Sequence, residues 1–215
     1  MFDRTPPSAE QALAEVSAIQ LVRTTTKIGV MGSAGGALPE PVLAKAGELG
    51  VEIARHGCVL LTGACPGLPH AAAVAAHEAG ALVVGVSPAL SLDEHVERYK
   101  SPYIEYDCII YTGSGLMGRE VATIRSCDIV VILGGRSGTL GEFAIAYDEG
   151  KLIAVLEGTG GMADHIRELV TMIHKDTNAD ILYDPDPRAL LEKALQVHER
   201  RVKECRAYCA PLADG

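Results

Sequence analysis

Short apolar segments alternate with longer Ala-rich segments along the chain, and this alternation limits the possible folds more than any other feature. The apolar segments predict β-strands at residues 27–31, 58–62, 81–86, 108–111, 129–133, 152–156 and 181–183. Most of them are continuously apolar, which is typical of strands covered on both faces. The intervening segments have helical spacing and predict helices at residues 41–55, 67–80, 117–126, 139–149, 162–175 and 187–208. The pattern predicts an α/β protein with a doubly wound, Rossmann-like, mostly parallel sheet of about seven strands flanked by helices.

The segment before the first strand predicts a separate helical element. Residues 8–22 have helical spacing, and Ser8 and Gln11 stand in the pattern of a capping box. We therefore expect an N-terminal helical extension over residues 1–26. A single Rossmann-like nucleotide-binding domain is expected to fill residues 27–215.

Composition and charge exclude several classes of function. The chain has 215 residues and a formal charge of −9, which opposes binding to bulk nucleic acid or to an anionic membrane surface. No apolar run approaches the roughly 20 residues that a bilayer crossing requires, and no secretory signal is recognisable. The six cysteines lack the spacing of zinc or redox motifs. We expect a soluble cytoplasmic protein that needs neither a metal nor a cofactor.

Gly-rich turns directly follow several predicted strands, on the edge of the sheet where ligands bind in doubly wound folds. Glycine lets the main chain approach a ligand closely, and the start of the next helix offers unpaired N–H groups to an anion. These turns predict a site for a phosphate-bearing small molecule. The residues assigned to it are Gly32, Ser33, Gly63, Gly67, Gly134, Gly135, Arg136, Ser137, Gly138 and Thr139.

The turn after the fifth strand carries the densest group of candidate residues. Its main-chain N–H groups, with the hydroxyls of Ser137 and Thr139, are suited to hold a phosphate. Glu142, one turn into the next helix, would face the group attached to that phosphate, and Arg119 would supply a cation from the same edge. Other interpretations remain open: Thr139 and Glu142 have capping-box spacing, and Arg119 and Arg136 could lie in solvent.

These residues resemble the signature of the LOG (Lonely Guy) superfamily, whose members are often labelled lysine decarboxylase-like. The family signature reads P-G-G-x-G-T-x-x-E. The matching residues here are Gly134, Gly135, Gly138, Thr139 and Glu142. Arg119 precedes Asp128 at the spacing of the family's catalytic arginine. The likeness spans roughly residues 27 to 161 and implies the Rossmann-like fold.

Departures from the family pattern indicate one branch of it. Leu133 replaces the signature proline, and Arg136 and Ser137 occupy the place of one residue. Of the M-H-E-R-K stretch found in the cytokinin-activating members, only Arg119 is present. These features resemble the branch that includes molybdenum-cofactor carrier proteins.

The resemblance implies two functions of different classes. One is a nucleoside 5′-monophosphate phosphoribohydrolase, which hydrolyses the N-glycosidic bond to a free base and ribose 5-phosphate. There Glu142 would stabilise the oxocarbenium-like sugar or activate water, and Arg119 would orient the nucleotide. The other is a non-catalytic protein that binds or carries a nucleotide or the pterin phosphate of a molybdenum cofactor. Family members pair through helices beside the site, which implies a homodimer. Lysine decarboxylation is not expected, because no pattern indicates a lysine that forms a pyridoxal Schiff base.

Overall fold

A computed structural model of the protein describes residues 25–209, and side chains as far as residue 204. The predicted helix at residues 8–22, the main part of the predicted extension over 1–26, lies outside the described residues. Within them, the strands are β1 (Lys27–Gly32), β2 (Val59–Thr62), β3 (Val83–Ser87), β4 (Cys108–Tyr111), β5 (Ile129–Leu133), β6 (Leu152–Leu156) and β7 (Asp180–Asp184). The helices are α1 (Glu40–Arg55), α2 (Leu68–Glu78), α3 (Leu92–Glu97), α4 (Gly115–Ser126), α5 (Ser137–Asp148), α6 (Ile166–Ile173) and α7 (Pro187–Cys209). A 3₁₀ helix, Gly161–His165, precedes α6.

The strands form one parallel sheet in the order β4-β3-β2-β1-β5-β6-β7. The chain moves outward from β1 to β4 and then returns to the other side of β1 with β5. Ligands of doubly wound sheets bind at such a reversal, beyond the carboxyl ends of the strands. The predicted Rossmann-like sheet is confirmed, and the reversal lies between β1 and β5.

Two apolar clusters cover the two faces of the sheet. Side chains of α1, α2 and α7 pack on one face, with Leu49, Leu68 and Leu190 fully buried. Side chains of α4, α5 and α6 pack on the other, with Phe143 and Ile166 buried there. Every residue of β5 and β6 is buried, as their continuous apolar sequences predict. None of the described helices is long and apolar enough to cross a membrane.

Helix α3 is the one described α-helix that the sequence analysis does not predict. It has only six residues, so its apolar spacing is too short to recognise. Its start is nevertheless encoded: Ser91 accepts a hydrogen bond from the Glu94 N–H at 3.3 Å, and Glu94 accepts one from the Leu90 N–H at 2.7 Å. The capping-box spacing of Ser91 and Glu94 was the signal that could have revealed the helix.

The carboxyl ends of β1 and β5 approach each other closely because Gly32 has no side chain. A Cβ atom at Gly32 would lie 2.1 Å from the main-chain oxygen of Leu133. The same oxygen accepts a hydrogen bond from the Ser33 N–H at 3.3 Å. Gly32 and Leu133 belong to the central strands β1 and β5, so neither backbone can move aside without disturbing the sheet.

We expect Gly32→Ala to destabilise the protein by about 3 kcal/mol, because the added methyl group overpacks a rigid contact between backbones. Gly35→Ala is the matched control: a Cβ at Gly35 meets nothing within 4 Å. That change should stay within about 0.5 kcal/mol of the wild type. Urea unfolding of the three chains measures the difference, and equal stability of the two variants would contradict the argument.

Candidate ligand site

A cavity of about 420 Å³ opens at the carboxyl edge of the sheet, at the reversal between β1 and β5. This volume lies within the range of small-molecule sites. The residues that line it are Val30, Met31, Gly32, Ala34, Gly63, Cys65, Pro69, Leu116, Met117, Arg119, Glu120, Arg136, Ser137, Gly138, Thr139 and Glu142. They come from β1, from the loops after β1, β2 and β5, and from α2, α4 and α5.

A second groove, of about 460 Å³, lies between α1 and the start of α7. Both of its arginines are paired with one carboxylate: Glu52 binds Arg55 at 2.6 Å and Arg188 at 3.2 Å. The cavity at the sheet edge differs from this groove because no salt bridge joins its charged side chains to one another among the described residues.

The predicted site residues divide into two groups. Gly32, Gly63, Arg119, Arg136, Ser137, Gly138, Thr139 and Glu142 line the cavity. Ser33, Gly67, Gly134 and Gly135 do not, and instead they join the loops to one another. The Ser33 hydroxyl oxygen accepts a hydrogen bond from the Gly135 N–H at 2.6 Å. The Gly134 N–H donates to the Thr159 hydroxyl at 2.8 Å. The Gly135 N–H is therefore engaged within the protein.

Helix α5 begins at the cavity without a side-chain cap. Its N-cap residue is Arg136, whose side chain makes no capping hydrogen bond. Thr139 is the third residue of the helix and cannot be its N-cap, so the capping-box interpretation of Thr139 and Glu142 is wrong. The first N–H groups of an α-helix have no partner within the helix. Those of Ser137, Gly138 and Thr139 are thus available at the wall of the cavity.

The Arg119 side chain is buried, with only 8% of its surface exposed, so it does not extend into solvent. One terminal nitrogen donates to the main-chain oxygen of Val86 at 3.1 Å, whereas the buried Nε atom has no partner among the described residues. The guanidinium lies directly over Gly63, where a Cβ would come within 2.2 Å of it. The glycine of the second loop therefore makes room for the arginine.

The Glu142 carboxylate faces the same space. It is 8% exposed, and none of the described residues forms a hydrogen bond with it. Loss of hydration raises the pKa of Glu142 from 4.5 to about 7; the nearby Arg119 opposes this rise and Glu120 adds to it. Near neutral pH the group is consequently present in both its protonated and its ionised form.

Two polar residues that line the cavity are not among the site residues predicted from the sequence. Glu120, next to Arg119, is only 5% exposed, and burial raises its pKa while Arg119 lowers it. Its carboxylate lies against α5, where Gly138 and Gly141 leave space for it. These two glycines on one helix face were the signal that a neighbouring side chain packs there. Cys65 lies near Arg119 and Glu142, and burial raises the pKa of its thiol.

We expect the buried Glu142 carboxylate to reduce stability as the pH rises. Between about pH 4.5 and 7 the unfolded chain releases this proton before the folded chain does, so the free energy of unfolding falls by up to ~3 kcal/mol. Glu142→Gln, which cannot ionise, should match the wild type near pH 5 and exceed it at pH 8. Urea unfolding at both values measures this, with exposed Glu97→Gln as control. A constant difference between the Glu142 variant and wild type at all pH values would contradict the assignment.

Proteins of known sequence or structure are similar to this chain. A protein of Archaeoglobus fulgidus, described as uncharacterised, is 35% identical over 132 residues, which are 61% of this chain and 80% of that one. The molybdenum cofactor carrier protein of Chlamydomonas reinhardtii is 30% identical, with a TM-score of 0.66 over 82% of this chain and 99% of that chain. The molybdenum cofactor binding protein of Rippkaea orientalis is 28% identical, with a TM-score of 0.66 over 81% and 98% of the two chains.

The family assignment follows from a match over most of the chain. The model of the SLOG cluster4 family matches residues 25–191, a range that contains every residue lining the cavity. This confirms the resemblance to the LOG superfamily that the Gly-rich signature indicates. The chain belongs to the SLOG cluster4 family.

Proposed function

We propose that the protein binds the phosphate group of a nucleotide or of a molybdenum-cofactor-type ligand at the start of α5, as a binding or carrier protein. One observation carries the proposal: the uncapped first turn of α5 opens into a cavity whose buried charged groups have few partners within the described protein. The likeness to molybdenum cofactor carrier and binding proteins supports a carrier over a hydrolase.

Three features of the protein would bind the phosphate. The N–H groups of the first turn of α5 point toward the cavity end of the helix, where the helix dipole favours an anion. Arg136, exposed at the N-cap position, lies beside these N–H groups and would neutralise part of the charge. Arg119 would act from the opposite wall, where its Nε–H would donate to the ligand.

The neighbouring Arg119 and Glu142 favour N-glycosidic hydrolysis as the second candidate. In that reaction an ionised Glu142 would stabilise positive charge on the sugar or activate water, while Arg119 would orient the nucleotide. Only the ionised carboxylate serves this role, so turnover would rise with pH through about 7, the pKa of Glu142.

We expect ribose 5-phosphate and nucleoside 5′-monophosphates to stabilise the protein thermally without release of free base. Ser137→Pro should weaken this binding about tenfold or more, because proline fits the first helical position yet removes one N–H that would bind a charged oxygen. Ser137→Ala, which removes the hydroxyl alone, is the control. Thermal shift, calorimetry and chromatography of the mixtures give the result. No stabilisation by any phosphate ester would refute the proposed binding, whereas free base would establish the hydrolase.

We also propose a homodimer that forms through α4 and α5. Apolar side chains are exposed on these two helices beside the cavity, among them Leu116, Met117, Val121 and Leu140. Leu116 and Met117 also line the cavity, so a second copy would cover part of its opening. Burial of this surface would provide a hydrophobic driving force for pairing.

Val121→Asp, which places a charge in this surface but outside the cavity, is expected to convert the dimer into a monomer. Met172→Asp introduces the same charge at an exposed methionine on α6 and should leave the dimer intact. Light scattering after size-exclusion chromatography measures the mass of each chain. A wild-type monomer, or a dimer lost equally in both variants, would exclude this interface.

A further inference from the structure

The Glu120 carboxylate lies beside the start of α5, where the proposed phosphate site would be. A Cβ atom built on Gly138 would lie 3.7 Å from one Glu120 oxygen, and a Cβ built on Gly141 would lie 2.9 Å from the other. The side chain is 95% buried, since only 5% is exposed, and it lines the same cavity as Ser137 and Thr139. Its oxygens form no hydrogen bond with the described residues and open onto the cavity. An acceptor-only group in this position would repel a fully ionised phosphate.

The surrounding charges do not remove this repulsion. Arg119 is the buried cation of the cavity, and it faces two buried carboxylates, Glu120 on α4 and Glu142 on α5. Cys65, on the loop after β2, has a raised thiol pKa and stays uncharged near neutral pH. Arg136 at the N-cap is exposed to solvent, which weakens its effect. A bound dianion would therefore face at least one carboxylate that lacks a partner, unless a proton lay between them.

We propose that Glu120 and a bound phosphate monoester share one proton, and that this makes the site selective for phosphate over sulfate. The inference rests on phosphate binding at the start of α5. A phosphate monoester has its second pKa near 6 and can carry a proton at little cost. Either the monoanion donates its O–H to the Glu120 carboxylate, or protonated Glu120 donates to the dianion. These two arrangements of the complex contain the same atoms and the same total charge. Sulfate brings no proton near neutral pH, so the shared proton would have to come from solvent onto Glu120. Without that proton, two like charges are left in contact.

The raised pKa of Glu120, which burial causes, agrees with a carboxyl group that accepts a proton readily. No covalent bond forms or breaks. Above the pKa values of free ligand and free Glu120, binding takes up one proton from solvent. The dissociation constant should then rise about tenfold for each pH unit.

The test compares inorganic phosphate with inorganic sulfate, and follows ribose 5-phosphate from pH 7 to 9, by calorimetry on the full chain. We expect the wild type to bind phosphate at least tenfold more tightly than sulfate. Glu120→Gln, which keeps the shape without the charge, should bind both ions similarly and lose most of the pH dependence. Glu97→Gln, an exposed carboxylate on α3, should behave as the wild type does.

Glu142 also titrates near pH 7, so the pH series is repeated in a Glu142→Gln background. In that background, the pH dependence of the dissociation constant should persist while Glu120 is present. It should vanish when Glu120→Gln is added. Equal binding of phosphate and sulfate by the wild type would overturn the inference while leaving the phosphate site in place. This comparison needs no variant, so it stands even if Glu120→Gln fails to fold. If the protein binds neither ion and does not bind ribose 5-phosphate, both the proposed function and this inference are overturned.

Discussion

The site depends on close main-chain contact between the loops that follow β1 and β5. Gly32 brings β1 against the Leu133 oxygen, and the Ser33 hydroxyl accepts the Gly135 N–H. The loop after β6 joins the same arrangement through the hydrogen bond from the Gly134 N–H to Thr159. Because backbone groups and short side chains hold the loops together, the longer side chains at this edge can face the cavity. The start of α5 is fixed by these contacts, and the direction of its N–H groups follows from them.

Glycine contributes to the site chiefly by making space for charged side chains. Gly63 leaves room for the Arg119 guanidinium, and Gly141 leaves room for the Glu120 carboxylate. Each charged group is buried in the process and loses hydration, which is unfavourable unless a partner replaces the water. Arg119 and Glu142 compensate for each other only in part, as the raised pKa of Glu142 indicates. A ligand that supplies the missing partners would stabilise the folded chain. Functional sites often reduce the stability of the free protein in this way.

The sequence predicts the sheet well because continuous apolar runs such as β5 and β6 leave few alternatives for a chain of this composition. It also identifies the loops that meet at the cavity, because residues that follow parallel strands must meet at one edge. It does not predict which residues of a loop line the cavity. Ser33 and Gly135 bind each other instead of lining the cavity, and this depends on loop geometry that spacing does not specify. Sequence analysis does not predict Glu120 as a cavity residue for a related reason, since its burial depends on how closely α4 and α5 pack.

The protonation of Glu142 distinguishes a carrier from a hydrolase within the same arrangement of residues. Hydrolysis requires the ionised carboxylate, which in the free protein is present only in part near neutral pH. A phosphate bound at the start of α5 would place further negative charge in the cavity, and negative charge raises the pKa of a nearby carboxyl group. Glu120 already acts in this direction. Ligand binding would thus shift Glu142 toward its protonated form, which can donate a hydrogen bond to the ligand but cannot stabilise a sugar cation. Under the proposed phosphate binding, a protonated Glu142 would therefore suit a carrier better than a hydrolase.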